Sequence, residues 1–155
     1  MDTGPHAADA PIGRVALGVL WLLVSTAWLV AWFVPWTSRG LLSTSSLADG
    51  ARLIRDGSVS ALIPSWVGWL LLIGPACGLL VLATFPRVGP VAVSARTLSV
   101  ASMVAVFVAC FHSVAQFDPA RLGPGGWLTV GGVVLGLAGL ALHRRLPRTH
   151  IEEDD

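Results

Sequence analysis

The sequence predicts an all-α membrane protein: a four-transmembrane-helix antiparallel bundle with a short amphipathic helix in the first outer loop. Two observations support this fold class. Of the 155 residues, 54% are hydrophobic and 12% are charged, whereas soluble domains carry roughly 25% charged residues. The apolar residues also fall into four stretches, at about residues 15–36, 61–85, 91–117 and 127–142. A helix of about 20 apolar residues crosses a bilayer, so residues 15–142 are expected to form one membrane domain.

The first apolar stretch is expected to be a retained transmembrane helix. A signal peptide is the alternative, because Arg14 precedes the stretch and Ser25-Thr26-Ala27 is a weak cleavage site. However, the sequence WLVAWFVPW continues apolar past that site, up to Trp36. The preceding residues 1–14 are mostly small or polar and include proline and glycine, which predicts a disordered N-terminal tail.

A short amphipathic helix is predicted at Leu47–Asp56, within the longest polar connection. Ser46 and Asp49 have the spacing of a capping box, with Asp in the position that Glu or Gln usually occupies. The apolar residues of the segment share one face, and the charged residues lie on the other. We therefore expect this helix to lie on the membrane surface or over the mouth of the bundle.

The second apolar stretch contains no charged residue and is interrupted near its middle by Pro75. A proline there removes the amide that would bond the carbonyl of Leu71, which predicts a kink near mid-membrane. Such a kink is either a packing feature or, as in transporters with broken helices, part of a substrate site.

Two polar residues stand out in the third apolar stretch. Arg96 lies one to two turns from its start, so its side chain is expected to extend to the lipid headgroups. His112 is the only ionisable residue well inside a span apart from the two thiols. It is either a hydrogen-bonded structural histidine near the interface or the proton-carrying group of a transporter.

Small residues four positions apart recur in every apolar stretch. In lipid, helices associate through close packing, which small side chains permit. These residues are therefore predicted to pack helices together, with some faces available to another subunit. They are Ala27 and Ala31; Gly74 and Gly78; Ala101, Ala105 and Ala109; and Gly132 and Gly136.

The arginines predict the orientation. Four spans place both termini on one side, which would hold six arginines against four on the other. The positive-inside rule then favours cytoplasmic termini, with residues 143–155 forming a basic-then-acidic tail. The absence of Lys, Asn and Tyr points to a GC-rich bacterial genome, and hence to a bacterial cytoplasmic (inner) membrane. The candidates for contact with lipid headgroups or a cytoplasmic partner are Arg87, Arg96, Arg144, Arg145 and Arg148.

The sequence contains no recognisable catalytic, cofactor-binding or metal-binding set. The four spans hold no carboxylate, and the two cysteines, Cys77 and Cys110, are isolated from each other. The net charge of +1 gives no indication of nucleic-acid binding. We therefore expect a non-catalytic integral membrane protein, an accessory or scaffold subunit that packs against membrane lipids and a larger envelope or respiratory membrane complex. The alternative is a small transporter or lipid-binding carrier that uses the Pro75 kink and His112.

Overall fold

The structure, a computed structural model, describes residues 9–38, 43, 46–57, 65–85, 87, 89–115 and 117–145. These residues form helices and connections without any β-strand. The helices are α1 (Asp9–Ala31), α2 (Leu47–Arg55), α3 (Ser65–Leu70), α4 (Ile73–Ala83), α5 (Pro90–Ala115) and α6 (Pro124–Arg145), with a 3-10 turn at Pro119–Arg121. The all-helical class is therefore confirmed. Residues 1–8 of the predicted N-terminal tail and residues 146–155, which include Arg148, lie outside the described residues.

Among the described residues, three helices are long and apolar enough to cross a membrane. These segments are Gly13–Ala31, Pro90–His112 and Pro124–Arg145, whereas the apolar segment Gly68–Ala83 is shorter. A membrane protein is thus supported, while the fourth span stays a prediction.

The first helix ends before the apolar stretch does. Its last residue is Ala31, although the apolar sequence continues to Trp36. Pro35 explains the difference, because it has no amide to donate and disfavours helical geometry at the residue before it. The final turn tightens before this point, with the Phe33 amide donating to the Val30 carbonyl at 3.0 Å.

The second apolar stretch is broken, and the break precedes the proline. Helix α3 ends at Leu70, Leu71 and Leu72 form a turn, and α4 begins at Ile73. Pro75 therefore lies in the first turn of α4, where the missing amide has no helical acceptor to satisfy. Leu71 is the residue whose carbonyl a Pro75 amide would have bonded, so the proline accounts for where the helix stops.

Four helices pack in a ring in which each contacts the next: α1 with α4, α4 with α5, α5 with α6, and α6 with α1. Neighbours run antiparallel, since Gly18 near the start of α1 lies against Phe85 just after α4. We call the end of the ring where α1 and α5 begin and α4 and α6 end the terminal end. The opposite end, which α2 and the 3-10 turn occupy, is the loop end.

The larger core cluster lies between α1, α4 and α5, and the glycines of α6 pack against it. Its largest side chains are the indoles of Trp21 and Trp28, each 1% exposed. A methyl group built on Gly136 would lie 2.8 Å from Val100 Cγ2, and one on Gly139 would lie 3.1 Å from the Trp21 ring. The glycines therefore allow α6 to approach bulky side chains of its neighbours closely.

A second core cluster lies at the loop end, beneath α2. Its buried members are Ala51 and Ile54 of α2 together with Leu71 and Cys110. The Ser46 side chain caps the start of α2 by accepting a hydrogen bond from the Asp49 amide at 3.2 Å. The amphipathic helix predicted at Leu47–Asp56 is therefore present, and its apolar face covers this end of the ring.

Candidate functional site

The small-residue faces divide into inward and outward ones. Those of α1, α4 and α6 pack within the ring, whereas that of α5 faces away from it. Among the predicted packing residues, Ala31, Gly78, Gly132 and Gly136 are buried, Ala27 and Gly74 are half-buried, and Ala101, Ala105 and Ala109 are exposed.

The outward surface of α5 is a continuous apolar strip. We call it the α5 face and define it by the exposed residues Leu98, Ala101, Val104, Ala105, Val108 and Ala109. These positions follow helical spacing over eleven residue steps, or about 16–17 Å at about 1.5 Å per residue. The three alanines make part of the strip shallow, so another helix could approach the α5 backbone closely.

A small cavity lies at the loop end, beneath α2 and between the four helices of the ring. Its volume is about 20 Å³, and its lining includes Trp28, Trp32, Pro75 and Cys110. A volume of this size holds about one water molecule. The cavity therefore adjoins the helix break but is too small for a transported solute.

His112 does not line that cavity. It is exposed near the end of α5, and its ring centroid lies 5.1 Å from that of Phe117. Phe117 in turn contacts Phe111 edge-on at 5.4 Å and has a left-handed backbone, with a φ of 61°. Gln116 and the side chain of Ser113, which are close to His112 in the sequence, lie outside the described residues. The two residues of the transporter hypothesis, Pro75 and His112, are thus not brought together.

Arg96 has a different role from the predicted headgroup contact. It is 3% exposed, and its Nη2 donates to the carbonyls of Thr84 at 2.6 Å, Phe85 at 3.2 Å and Arg87 at 3.1 Å. Its guanidinium also lies 5.2 Å from the centre of the Trp21 ring, a favourable cation–π contact. The carbonyls after α4 lack helical partners, so Arg96 satisfies them and ties the start of α5 to the end of α4.

The other predicted basic contacts remain accessible where they are described. Arg87, Arg144 and Arg145 are exposed at the terminal end. Arg87 Nη1 donates to the Ala83 carbonyl at 2.8 Å, so its side chain lies along the end of α4. These three side chains are free to meet lipid headgroups, unlike that of Arg96.

The described residues do not assemble a metal site, since no group of three or more His, Cys, Asp or Glu lies together among them. Cys77 and Cys110 are buried free thiols in different core clusters. Comparisons with protein-family models, with curated proteins and with solved structures give no match for this chain.

Proposed function

We propose that the chain is a non-catalytic integral membrane subunit that docks a transmembrane helix of a larger membrane complex on the α5 face. The observation that supports this proposal is the placement of the small residues. Three helices use theirs for packing within the ring, whereas Ala101, Ala105 and Ala109 of α5 remain exposed. Because lipid tails are as apolar as leucine, helices in a bilayer gain from close packing rather than from burial of apolar surface. A second helix on the α5 face would supply that packing.

The proposal includes four crossings, with residues 61–85 supplying the second as a broken helix. Helices α1 and α5 are each long enough to cross a membrane, and both begin at the terminal end. The chain must therefore return from the loop end to the terminal end between them, and α4 runs in that direction. We also propose that the protein lies in a bacterial cytoplasmic membrane and that both of its termini are cytoplasmic.

A photo-crosslinker at single positions tests the docking surface. We expect a crosslinker at Ala105 to give one discrete adduct with another membrane protein in cells expressing the protein at native level. Crosslinkers at Val19 of α1 and Val134 of α6 are matched controls, because both side chains are exposed, as is that of Ala105. Adducts of equal yield from all three positions, or none from Ala105, would contradict the proposal. An adduct with a second copy of the chain would show that the α5 face forms a homo-oligomer and does not dock a larger complex.

A bulky substitution checks the same surface by affinity. Ala105→Leu should reduce co-purification of the crosslinked partner about tenfold, a loss of about 1.4 kcal/mol, because the added side chain prevents close approach. Val134→Leu adds one methylene at an exposed position and should leave co-purification unchanged. Both variants should retain the thermal stability of the wild type, since neither side chain packs in the described core.

The second candidate function is a small transporter or lipid-binding carrier, which the sequence suggests through the helix break at Pro75 and through His112. His112→Gln separates the two functions, because glutamine keeps a donor and an acceptor but cannot titrate near neutral pH. An accessory subunit should function normally with this substitution. If the variant is expressed at the normal level and yet is as defective as a deletion strain, the transporter is favoured.

A further inference from the structure

We infer that the terminal end of the ring binds the phosphate headgroups of anionic phospholipids. The binding surface, which we call the basic rim, consists of the exposed residues Arg14, Arg87, Arg144 and Arg145. They come from α1, from the connection between α4 and α5, and from the last turn of α6. The inference is independent of the proposed function, because it uses neither the α5 face nor the orientation of the protein.

Charge is distributed unequally between the two ends of the ring. At the loop end the described acidic and basic side chains are equal in number, and some are engaged locally. Arg121 pairs with Asp118 at 3.4 Å, and Arg55 lies 4.9 Å from the centre of the Trp69 ring. At the terminal end, Asp9 is the only acidic residue of the described segments. The basic rim therefore has an excess of positive charge that an external anion can neutralise.

Arg96 adds to this excess from inside the ring. Its hydrogen-bond acceptors are backbone carbonyls, which carry no formal charge, and its buried Nε has no partner among the described residues. Hydrogen bonds to these carbonyls hold the guanidinium in place without neutralising its charge. In a poorly polarisable surrounding, an unneutralised charge acts over a longer distance than it would in water, so Arg96 strengthens the attraction of the rim for anions.

The rim arginines are held by packed elements rather than by a free tail. Arg87 donates to the Ala83 carbonyl, and its own carbonyl accepts a hydrogen bond from Arg96. Near the end of α6, Leu140 and Leu142 pack against the larger core cluster, so the helix is docked up to the residues that precede Arg144. The positions of the rim charges are therefore set by the fold.

Lipid is favoured over a free anion because aliphatic surface adjoins the charges. Val15 beside Arg14 is 66% exposed, and Val91 at the start of α5 is 79% exposed. The apolar part of α1, Gly13–Ala31, has 19 residues, which at about 1.5 Å per residue spans about 28 Å, close to the hydrocarbon thickness. Arg14 therefore lies at the boundary where phosphates meet acyl chains.

The test compares two lipids that differ only in headgroup charge. Full-length protein is purified in a neutral detergent, and its thermal unfolding is followed while phosphatidylglycerol or phosphatidylcholine with the same acyl chains is added. We expect phosphatidylglycerol to raise the Tm and phosphatidylcholine to have a much smaller effect. The variant R87Q/R144Q/R145Q should lose roughly a hundredfold in apparent affinity for phosphatidylglycerol, since each basic residue near a membrane contributes about 1 kcal/mol.

The control variant R52Q/R55Q/R121Q removes the same charge from the loop end and should keep the affinity of the wild type. Equal effects of the two lipids, or equal losses in the two variants, would overturn the inference. So would a matching rise in Tm with inorganic phosphate, which would identify a site for free anions. If the lipid acts only after residues 152–155 are neutralised as E152Q/E153Q/D154N/D155N, the acidic tail occupies the rim instead.

Native mass spectrometry of the wild-type protein gives an answer that does not depend on the folding of any variant. Protein exchanged into an equimolar mixture of the two lipids should retain phosphatidylglycerol in preference to phosphatidylcholine. Retention in the proportions of the mixture would overturn the inference.

Discussion

Two adjacent glycines in α6 differ in how much space the structure leaves for a side chain. Gly132 is buried, and a methyl group built on it would overlap the indole of Trp28, which is itself 1% exposed and unable to move aside freely. Gly131 is exposed, and a methyl group there would meet nothing within 4 Å. The two residues share a helix and a chemistry, yet only one of them is required for packing.

Alanine should therefore destabilise the protein at Gly132 but not at Gly131. We expect Gly132→Ala to lower the free energy of unfolding by about 1–3 kcal/mol through overpacking. Gly131→Ala should leave it unchanged or raise it by about 0.5–1 kcal/mol, because alanine is the better helix former. Reversible unfolding of both variants in mild detergent measures the difference. Equal stabilities would mean that α6 is rotated relative to its place in the structure.

Arg96 shows what the sequence could not predict at the scale of a residue. Its position within an apolar stretch is evident from the sequence, and the general rule for such arginines is extension toward the headgroups. The carbonyls that it binds belong to Thr84, Phe85 and Arg87, which are reached only because the short turn after α4 folds back. A basic residue in the first two turns after a tight interhelical turn is the signal that would have identified it.

At the scale of elements, local chemistry was predictable and helix ends were less so. The cap of α2 depends on Ser46 and Asp49. These residues are only three positions apart in the sequence, so the start of a helix brings their side chains together. The start of α6 depends on distant contacts: Gly125 belongs to the helix, and its amide donates to the Pro35 carbonyl at 2.9 Å. Apolar composition indicates the part of a helix that lies in hydrocarbon, whereas backbone hydrogen bonds determine where the helix stops.

The α2 cap should make this helix sensitive to acid. The Ser46 hydroxyl donates to Asp49 Oδ2 at 2.7 Å, and this hydrogen bond lowers the pKa of the Asp49 carboxyl below its ordinary value. Because the pKa is lower in the folded state, the stabilisation is present above the unfolded-state pKa and is lost as the pH falls through the folded-state pKa. We therefore expect α2 to loosen in acid and to be intact at neutral pH.

Carbon-13 NMR of the Asp49 carboxyl checks this expectation. Ser46→Ala should raise the pKa of Asp49 and remove a helix cap, at a cost of about 1 kcal/mol to α2. Ser46→Thr keeps a hydroxyl and should keep most of the shift. An unchanged pKa in Ser46→Ala would show that the Ser46 hydroxyl does not set the titration of Asp49.

At the scale of the whole molecule, the class of protein was predictable and the use of its surfaces was not. Every apolar stretch contains small residues at the same spacing, so the sequence alone does not distinguish inward faces from outward ones. That distinction depends on which helices become neighbours. Gly132 faces Trp28 of α1, whereas Ala105 of α5 is exposed. The candidate docking surface is therefore a property of the assembled ring.

The path of the chain through the membrane leads to the last prediction, which concerns the fourth crossing and the orientation together. Asp56 follows α2 at the loop end, and Gly89 precedes α5 at the terminal end; both are exposed, and a methyl group on Gly89 would meet nothing within 4 Å. Asp56→Cys and Gly89→Cys therefore place a reactive thiol at each end of the full-length protein. The native thiols, Cys77 and Cys110, are buried, so the unmodified protein is the control.

A membrane-impermeant maleimide, added to spheroplasts, should label Asp56→Cys and should label Gly89→Cys only after the membrane is permeabilised. The excess of arginine at the terminal end is the reason to expect that end on the cytoplasmic side. Labelling of both residues from outside would mean that residues 61–85 enter the membrane and return without crossing. The reverse labelling pattern would still indicate four crossings, but it would mean that the orientation is inverted and that the basic rim lies on the outer side of the membrane.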